Sequence, residues 1–224
     1  MVHLVPGNWN DPYPNSTRNG AAAAAAAPPT SLNVWAYSNA DIVELFQNNK
    51  SLGTRQVPPN SHVAWNGVEW APGLIEARAM MSDKPDEAVA VDSVKTSGKT
   101  AGLKMTLTWP TNEPLRLHGK GTAMVQLQIV DADGIFVPDA NVRVDFKVRS
   151  GPAGIVGVGN GDPSSHESDK ASFRTTFNGL ARCIVQTTTK LLNREAGVAI
   201  VLEATMTAAG QIVSSTLAIP VEQD

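Results

Sequence analysis

The sequence has a single cysteine and few charged residues, and both scarcities narrow what the chain can be. Cys183 stands alone among 224 residues, so no disulfide can form within the chain. Its setting, LARCIVQ, is typical of a strand, which favours a small buried side chain over a reactive thiol. Charged residues make up 17% of the chain, below the roughly 25% of an average soluble domain. Apolar residues make up 42%, which is enough for a packed core and excludes a wholly disordered chain.

Three further absences exclude whole classes of partner. The chain has 18 basic and 21 acidic residues and no basic cluster, which argues against nucleic acid as a partner. No apolar run approaches the roughly 18 residues that a membrane helix needs, so no membrane partner is expected. The N-terminal MVHLVPGNWNDPYP lacks the basic start and long apolar stretch of a secretory signal. The compartment is left open.

What the sequence does contain is the alternation of β-strands. In NVRVDFKV (141–148), the apolar residues from Val142 to Val148 alternate with polar ones, which predicts a strand half-buried in an antiparallel sheet. The residues beyond about position 100 are therefore predicted to form a sandwich of short strands. Three more segments show the same signal: AMVQLQIV (123–130), GVAIVLEATM (197–206) and QIVSSTLAIPV (211–221).

The first hundred residues predict a second set of strands, more often interrupted. In QNNKSLG (47–53), Asn48-Asn49 suits either a tight hairpin or a longer loop. SGKTAG (97–102) marks a boundary, so the sequence predicts two consecutive immunoglobulin-like antiparallel β-sandwiches, residues 1–98 and 99–224, in an all-β chain. The strand candidates are SLNVWAY (31–37), DIVELFQ (41–47), HVAWNGVEW (62–70), GLIEARAM (73–80) and AVAVDSVKT (88–96).

An alanine run interrupts the first of these regions. GAAAAAAAPPT (20–30) carries seven alanines between Gly20 and the Pro28-Pro29 pair. A helix of that length falls below the roughly 12 residues that even an alanine-rich helix needs in water. We therefore interpret the run as a low-complexity loop inserted between two strands.

The glycine-rich stretch GVGNGDPSSHES (157–168) is the first place to look for chemistry. Its glycines match neither the dinucleotide-binding fingerprint nor a phosphate-binding P-loop. Asp162, His166, Glu167 and Asp169 are metal-ligand types, but their spacing matches no calcium loop. DADGIF (131–136) opens like such a loop with its glycine misplaced, and we interpret it as a turn. No metal and no cofactor are therefore expected.

Motifs for catalysis are missing as well. The histidines form no H-x-x-H or H-E-x-x-H pattern, and no G-x-S-x-G elbow occurs. Paired carboxylates for glycoside hydrolysis converge from separate elements, so spacing alone does not exclude them. Nothing in the sequence singles out such a pair, and no catalytic residue is predicted.

The aromatic residues are more informative. Four of the five tryptophans, at positions 9, 35, 65 and 70, lie in the first region. Trp35 and Tyr37 are two residues apart on one predicted strand and so share a face. Sugars dock on exposed rings, which makes Trp35, Tyr37, Trp65 and Trp70 the candidate carbohydrate-binding residues. The alternative is packing in the core or against another domain, since tryptophan is highly buried on average.

Two long motifs resemble a known family. VHLVPGNWN followed by VWAYSNADIVELFQNNKSLG is similar to the region just after the catalytic barrel in β-galactosidases of glycoside hydrolase family 2. The segment from IVDADGIF to NGLARCIVQ (129–186) resembles the immunoglobulin-like domain that follows in the same enzymes. Asn48-Asn49 stands where that family usually has Asn-Gly, and the alanine run has no counterpart in the family pattern.

The resemblance implies a role for the chain. In that family GNGDP (159–163) and FNGLA (177–181) belong to a β-sandwich, and the catalytic glutamates lie in an upstream barrel. The leading hypothesis is a non-catalytic C-terminal portion of a β-galactosidase-like enzyme, with the barrel, in the same or a separate chain, as its partner. The alternatives are a free-standing carbohydrate-binding module for β-galactoside sugars and an adhesive tandem without sugar contact.

A surface that meets the barrel is richer in aromatic side chains than ordinary exterior. Some of Trp9, Tyr13, Trp65 and Trp70 are therefore expected to be partly exposed.

Overall fold

The computed structural model describes residues 1–6, 31–117, 119–188 and 199–222 of the chain. The chain forms two compact units, Met1–Thr96 and Ser97–Asp224. Every regular element among the described residues is a β-strand, which confirms the prediction of an all-β chain built from antiparallel sandwiches. The predicted alanine loop (20–30), Trp9, Tyr13 and His118 lie outside the described residues.

Two antiparallel sheets make up the first unit, in the orders β1-β2-β5 and β4-β3-β6-β7. Their inward side chains merge into one buried cluster, in which Val34, Val43 and Leu45 have no exposed surface. Sequence alternation missed β1 and β4, and β4 offers the core only Leu52. The strands are β1 (Val2–Val5), β2 (Ser31–Ser38), β3 (Ile42–Gln47), β4 (Lys50–Gln56), β5 (His62–Glu69), β6 (Leu74–Met81) and β7 (Lys84–Lys95).

A two-residue turn joins β3 to β4, which confirms the tight hairpin over the longer loop. Asn48 and Asn49 both have positive φ, at 49° and 66°, as a type I′ turn requires. The Asn48 side chain also anchors the turn: its Oδ1 accepts a hydrogen bond from the Leu74 amide at 2.8 Å. Its Nδ2 donates to the Pro72 carbonyl at 3.1 Å. Asparagine tolerates this backbone geometry better than most residues, so the hairpin forms without glycine.

The second unit is a larger sandwich of two four-stranded antiparallel sheets, in the orders β12-β14-β10-β8 and β13-β11-β15-β16. A short parallel pair, β9 with β17, accompanies them. The strands are β8 (Gly102–Trp109), β9 (Leu115–Arg116), β10 (Thr122–Val130), β11 (Arg143–Ser150), β12 (Ala153–Gly159), β13 (Phe173–Thr175), β14 (Leu180–Thr187), β15 (Ile200–Ala208), β16 (Gln211–Ile219) and β17 (Val221–Glu222).

The predicted alternation of β11 is confirmed. Val144 and Phe146 are buried in the core, whereas Arg143, Asp145 and Lys147 are exposed on the outer face. Cys183 is buried on β14, as expected of a small hydrophobic side chain. Burial raises the pKa of its thiol to about 12, so almost none of it is thiolate near neutral pH.

Candidate binding face of the first unit

Two large rings stand on the outer face of β2. Trp35 is 42% exposed and Tyr37 is 41% exposed. Their neighbours Val34 and Ala36 have no exposed surface, because successive residues of a strand point to opposite faces. The same alternation that fills the core therefore places both rings outside it.

A histidine from the neighbouring strand completes the group. His62 on β5 lies opposite Tyr37 in the antiparallel register. The centroid of its ring lies 5.2 Å from that of Trp35 and 5.1 Å from that of Tyr37, with interplanar angles of 36° and 39°. On the other side of β2, Val5 of β1 faces Trp35 in register. We call Val5, Trp35, Tyr37 and His62 the aromatic face.

The other two predicted aromatic residues lie elsewhere. Trp65 is only 4% exposed and belongs to the core, which favours the packing alternative for this ring over a place at the surface. It shares the inward face of β5 with Val63, and the Arg55 guanidinium lies 5.4 Å from its ring centroid. Trp70 is partly exposed and packs against the same core after β5 ends. The four candidates therefore do not form one platform.

Sequence reasoning missed two members of the aromatic face, Val5 and His62, and the reason is clearest for His62. It precedes Val63 and Trp65, so alternation alone places it on the outer side of β5. Its proximity to Trp35 depends on how β5 registers against β2, which the local sequence does not specify. An irregularity in that pairing, between Leu32 and Val34, further obscures the register.

The glycine-rich stretch in the second unit is held by a buried arginine rather than arranged as a reaction centre. Arg174 is 5% exposed, and its Nη1 donates to the Glu167 carbonyl at 2.9 Å and to Asp169 Oδ1 at 3.0 Å. Its Nη2 donates to Asn160 Oδ1 at 3.1 Å. The loop's polar groups thus bind one another, as an architectural role requires.

Glu167 is part of the same network. Its carboxylate accepts hydrogen bonds from the Thr175 amide at 2.8 Å and the Thr175 hydroxyl at 2.6 Å. Burial disfavours the charged carboxylate, but the bonds from Thr175 and the charge of Arg174 outweigh it, so the pKa of Glu167 lies below its ordinary value. A general acid near neutral pH needs the opposite shift.

Other chemistry has little support in the part of the chain that the structure describes. No three His, Cys, Asp or Glu side chains among those residues are placed to share a metal ion. Asp131, which opens the DADGIF turn, accepts hydrogen bonds from the amides of Asp133 and Ile135 instead. None of the described residues forms a helix long and apolar enough to cross a membrane.

Comparison with protein families gives one match in each unit. The family described as "Glycoside hydrolase family 2 C-terminal domain 5" matches residues 107–209. The family described as "Domain of unknown function (DUF4982)" matches residues 30–85.

Known relatives are much longer than this chain. The β-galactosidase BoGH2A of Bacteroides ovatus is 36% identical over 188 residues, which cover 83% of this chain and 19% of the relative. A β-glucuronidase of Formosa agariphila is 33% identical over 156 residues, covering 68% of this chain and 14% of the relative. The crystal structure of a β-glycosidase from Bacteroides vulgatus aligns with a TM-score of 0.72 and 25% identity, over 99% of this chain and 24% of that one.

Fold and comparisons together define the class of protein: a tandem of β-sandwich domains that corresponds to a small part of larger glycosidases. The chain belongs to the C-terminal β-sandwich region of glycoside hydrolase family 2.

Proposed function

We propose that this chain braces the catalytic barrel of a family 2 β-glycosidase and that the aromatic face is the surface that meets it. The observation that carries the proposal is the exposure of Trp35 and Tyr37 beside His62 on a sheet face. Exposed apolar and aromatic groups gathered in one place mark interaction surfaces. The chain spans 19% of its β-galactosidase relative, which leaves most of such an enzyme as the partner.

Hydrolysis belongs to the barrel on this proposal, so the purified chain turns over neither aryl β-galactosides nor aryl β-glucuronides. Both substrates belong in the assay because the relatives are named for both activities. Turnover that survives rigorous purification and disappears in an acid-to-amide variant contradicts the proposal.

Docking is tested with the Bacteroides ovatus enzyme lacking the segment that this chain matches. The chain is titrated against that remainder by biolayer interferometry. Trp35→Ala is expected to weaken binding by about tenfold or more, which corresponds to about 1.4 kcal/mol, because it removes a large ring from the contact. Trp109→Ala is the matched control, since Trp109 is 59% exposed on the second unit. Equal affinities for the two variants contradict docking through the aromatic face.

A second candidate function, sugar binding, uses the same rings. Trp35 and Tyr37 lie side by side and accessible, as stacking on a sugar requires. Both rings project from the outer face of a strand, however, whereas most small-ligand sites are concave. Galactose and lactose are titrated against tryptophan fluorescence in the parent, in Trp35→Ala and in Trp109→Ala. Saturable quenching lost only in Trp35→Ala replaces docking by sugar binding, whereas no response at millimolar sugar leaves docking in place.

A further inference from the structure

A cleft opens in the second unit where β11, β12 and β15 meet the chain just before β13. It has a volume of about 480 Å³. β13 pairs with β11 only from Arg143 to Asp145, and the last contact on that side is the Phe146 amide donating to the Ser172 carbonyl at 2.7 Å. The cleft lies where this pairing stops, and its volume falls within the roughly 300–1,000 Å³ of small-molecule sites.

Both carboxylates that line the cleft already have a cationic partner. Asp145 accepts hydrogen bonds from Arg143 Nη2 at 2.8 Å and Nε at 3.2 Å. Glu203, which is buried, accepts one from Arg149 Nη2 at 2.6 Å. These arginines offset the negative charges without using all of the carboxylate lone pairs.

The third charged group in the cleft has no such partner. Lys147 lies on the outer face of β11, directly opposite Glu203 of β15 in register. Its ammonium group makes no ion pair or hydrogen bond with any residue that the structure describes. One positive charge therefore remains available to a ligand, beside two paired carboxylates.

The remaining lining is of two kinds. Ser172 and Thr205 carry hydroxyl groups, while the partly buried Val148 and Ile155 supply apolar surface. Carboxylates can only accept hydrogen bonds, so they call for a ligand that carries hydroxyl donors. Lys147 calls for one anionic group. A phosphate dianion fits less well, because it meets two carboxylates and a single lysine.

We propose that this cleft is a binding site for a small hydroxylated carboxylate, that is, a sugar acid of the hexuronate type. The carboxylate of the ligand pairs with Lys147, and its hydroxyls donate to Asp145 and Glu203 and exchange hydrogen bonds with Ser172 and Thr205. The site lies wholly within the second unit and shares no residue with the aromatic face. A failure of barrel docking therefore does not contradict this proposal, and a failure of ligand binding here does not contradict docking.

The test is an NMR titration of the full chain with D-glucuronate, with D-glucose and acetate as the probes that carry only one half of the ligand's chemistry. Saturable shifts are expected at the backbone amides of Lys147, Val148 and Gly154. Glucose and acetate are each expected to bind at least about tenfold more weakly, because each lacks one of the two sets of contacts.

Lysine variants then test whether Lys147 supplies the positive charge that binds the ligand. Lys147→Ala is expected to weaken glucuronate binding by about tenfold and Lys147→Arg to retain most of it, since only the first removes the cation. Lys104→Ala, at an exposed lysine on β8, is the control and leaves the affinity within about twofold of the parent. Three results overturn the proposal: no saturable shifts with glucuronate, glucose binding as tightly as glucuronate, or equal losses in Lys147→Ala and Lys104→Ala.

Discussion

Strands β2 and β11 are alike in the side chains that they turn inward and differ in those that they turn outward. Both bury a row of apolar side chains in their own sandwich. The outer row of β11 carries Arg143 and Asp145, bound to each other at 2.8 Å, whereas the outer row of β2 carries Trp35 and Tyr37. Charged side chains are well solvated, but a row of exposed rings leaves apolar surface in water. The outward residues thus distinguish a charged surface from an exposed aromatic one.

The two tryptophans of the first unit give the largest expected contrast. Trp65→Ala is expected to lower the free energy of unfolding by about 3–5 kcal/mol, because it empties a filled core position. Trp35→Ala is expected to lower it by less than about 1 kcal/mol, since the ring already meets water. Urea denaturation followed by circular dichroism measures both. Similar losses for the two variants mean that Trp35 is held by the sandwich rather than offered to a partner.

Trp65→Phe sharpens the same comparison. The Trp65 Nε1 atom is buried without a hydrogen-bond partner among the described residues. Phenylalanine removes that unsatisfied donor along with part of the packing, so its loss is expected to stay below about half of that of Trp65→Ala. A loss of unfolding free energy as large as that of Trp65→Ala contradicts this reasoning and means that the indole nitrogen has a hydrogen-bond partner.

Strand β11 offers the matching test in the second unit. Phe146→Ala is expected to lower the free energy of unfolding by about 3–5 kcal/mol. Lys147→Ala, one residue along and exposed, is expected to change it by less than about 0.5 kcal/mol. The measurement is again a urea midpoint at constant slope. Comparable effects at the two positions contradict the inward and outward assignment of β11.

Acid provides a test of the arginine network. Because the pKa of Glu167 is lowered in the folded chain, the unfolded chain takes up the proton first as the pH falls. Glu167 therefore contributes its whole stabilisation above the ordinary glutamate pKa of about 4.3. That contribution is lost as the pH falls through the lowered pKa of the folded chain. Glu167→Gln is expected to make unfolding less sensitive to pH in that window. Glu113→Gln, at an exposed glutamate, is the control, and an unchanged pH profile in Glu167→Gln contradicts the network's role.

The smallest expected changes in the free energy of unfolding are at two hairpin turns, one in each unit. Asn49 has a φ of 66° at the β3–β4 turn, and Ala209 has a φ of 49° at the β15–β16 turn. Alanine is strained in this left-handed region and asparagine is less so. Ala209→Asn is therefore expected to raise the free energy of unfolding by about 0.5–1 kcal/mol, and Asn49→Ala to lower it by a similar amount. Thermal unfolding of both variants checks the two signs, and a destabilised Ala209→Asn contradicts the argument.

The sequence predicted those parts of the fold in which one face of a strand meets a core. β2, β10 and β11 were predictable because burial imposes a strict period of two. β4 was not, because an edge strand that buries only Leu52 shows no such period. β13 is three residues long, too short for any period to be recognised.

The candidate site was predictable only in part, for a related reason. Trp35 and Tyr37 lie on one strand, so their shared face follows from spacing alone. His62 joins them through the pairing of β5 with β2, and Trp65 turns inward with Val63 on the same strand. Residue type left both a surface ring and core packing open for Trp65, and the alternation around it decides its burial. Convergence across strands is a property of register, which local sequence specifies weakly.

The central claim is that the aromatic face is covered in the assembled enzyme. Hydroxyl-radical footprinting tests it directly, with the chain measured alone and then with the Bacteroides ovatus enzyme that lacks the matching segment. The account predicts that the reactivity of Trp35 and Tyr37 falls at least about threefold in the mixture, as expected when half-exposed rings are buried in an interface, while exposed Trp109 keeps its reactivity. Formation of the complex with Trp35 and Tyr37 still fully reactive contradicts it.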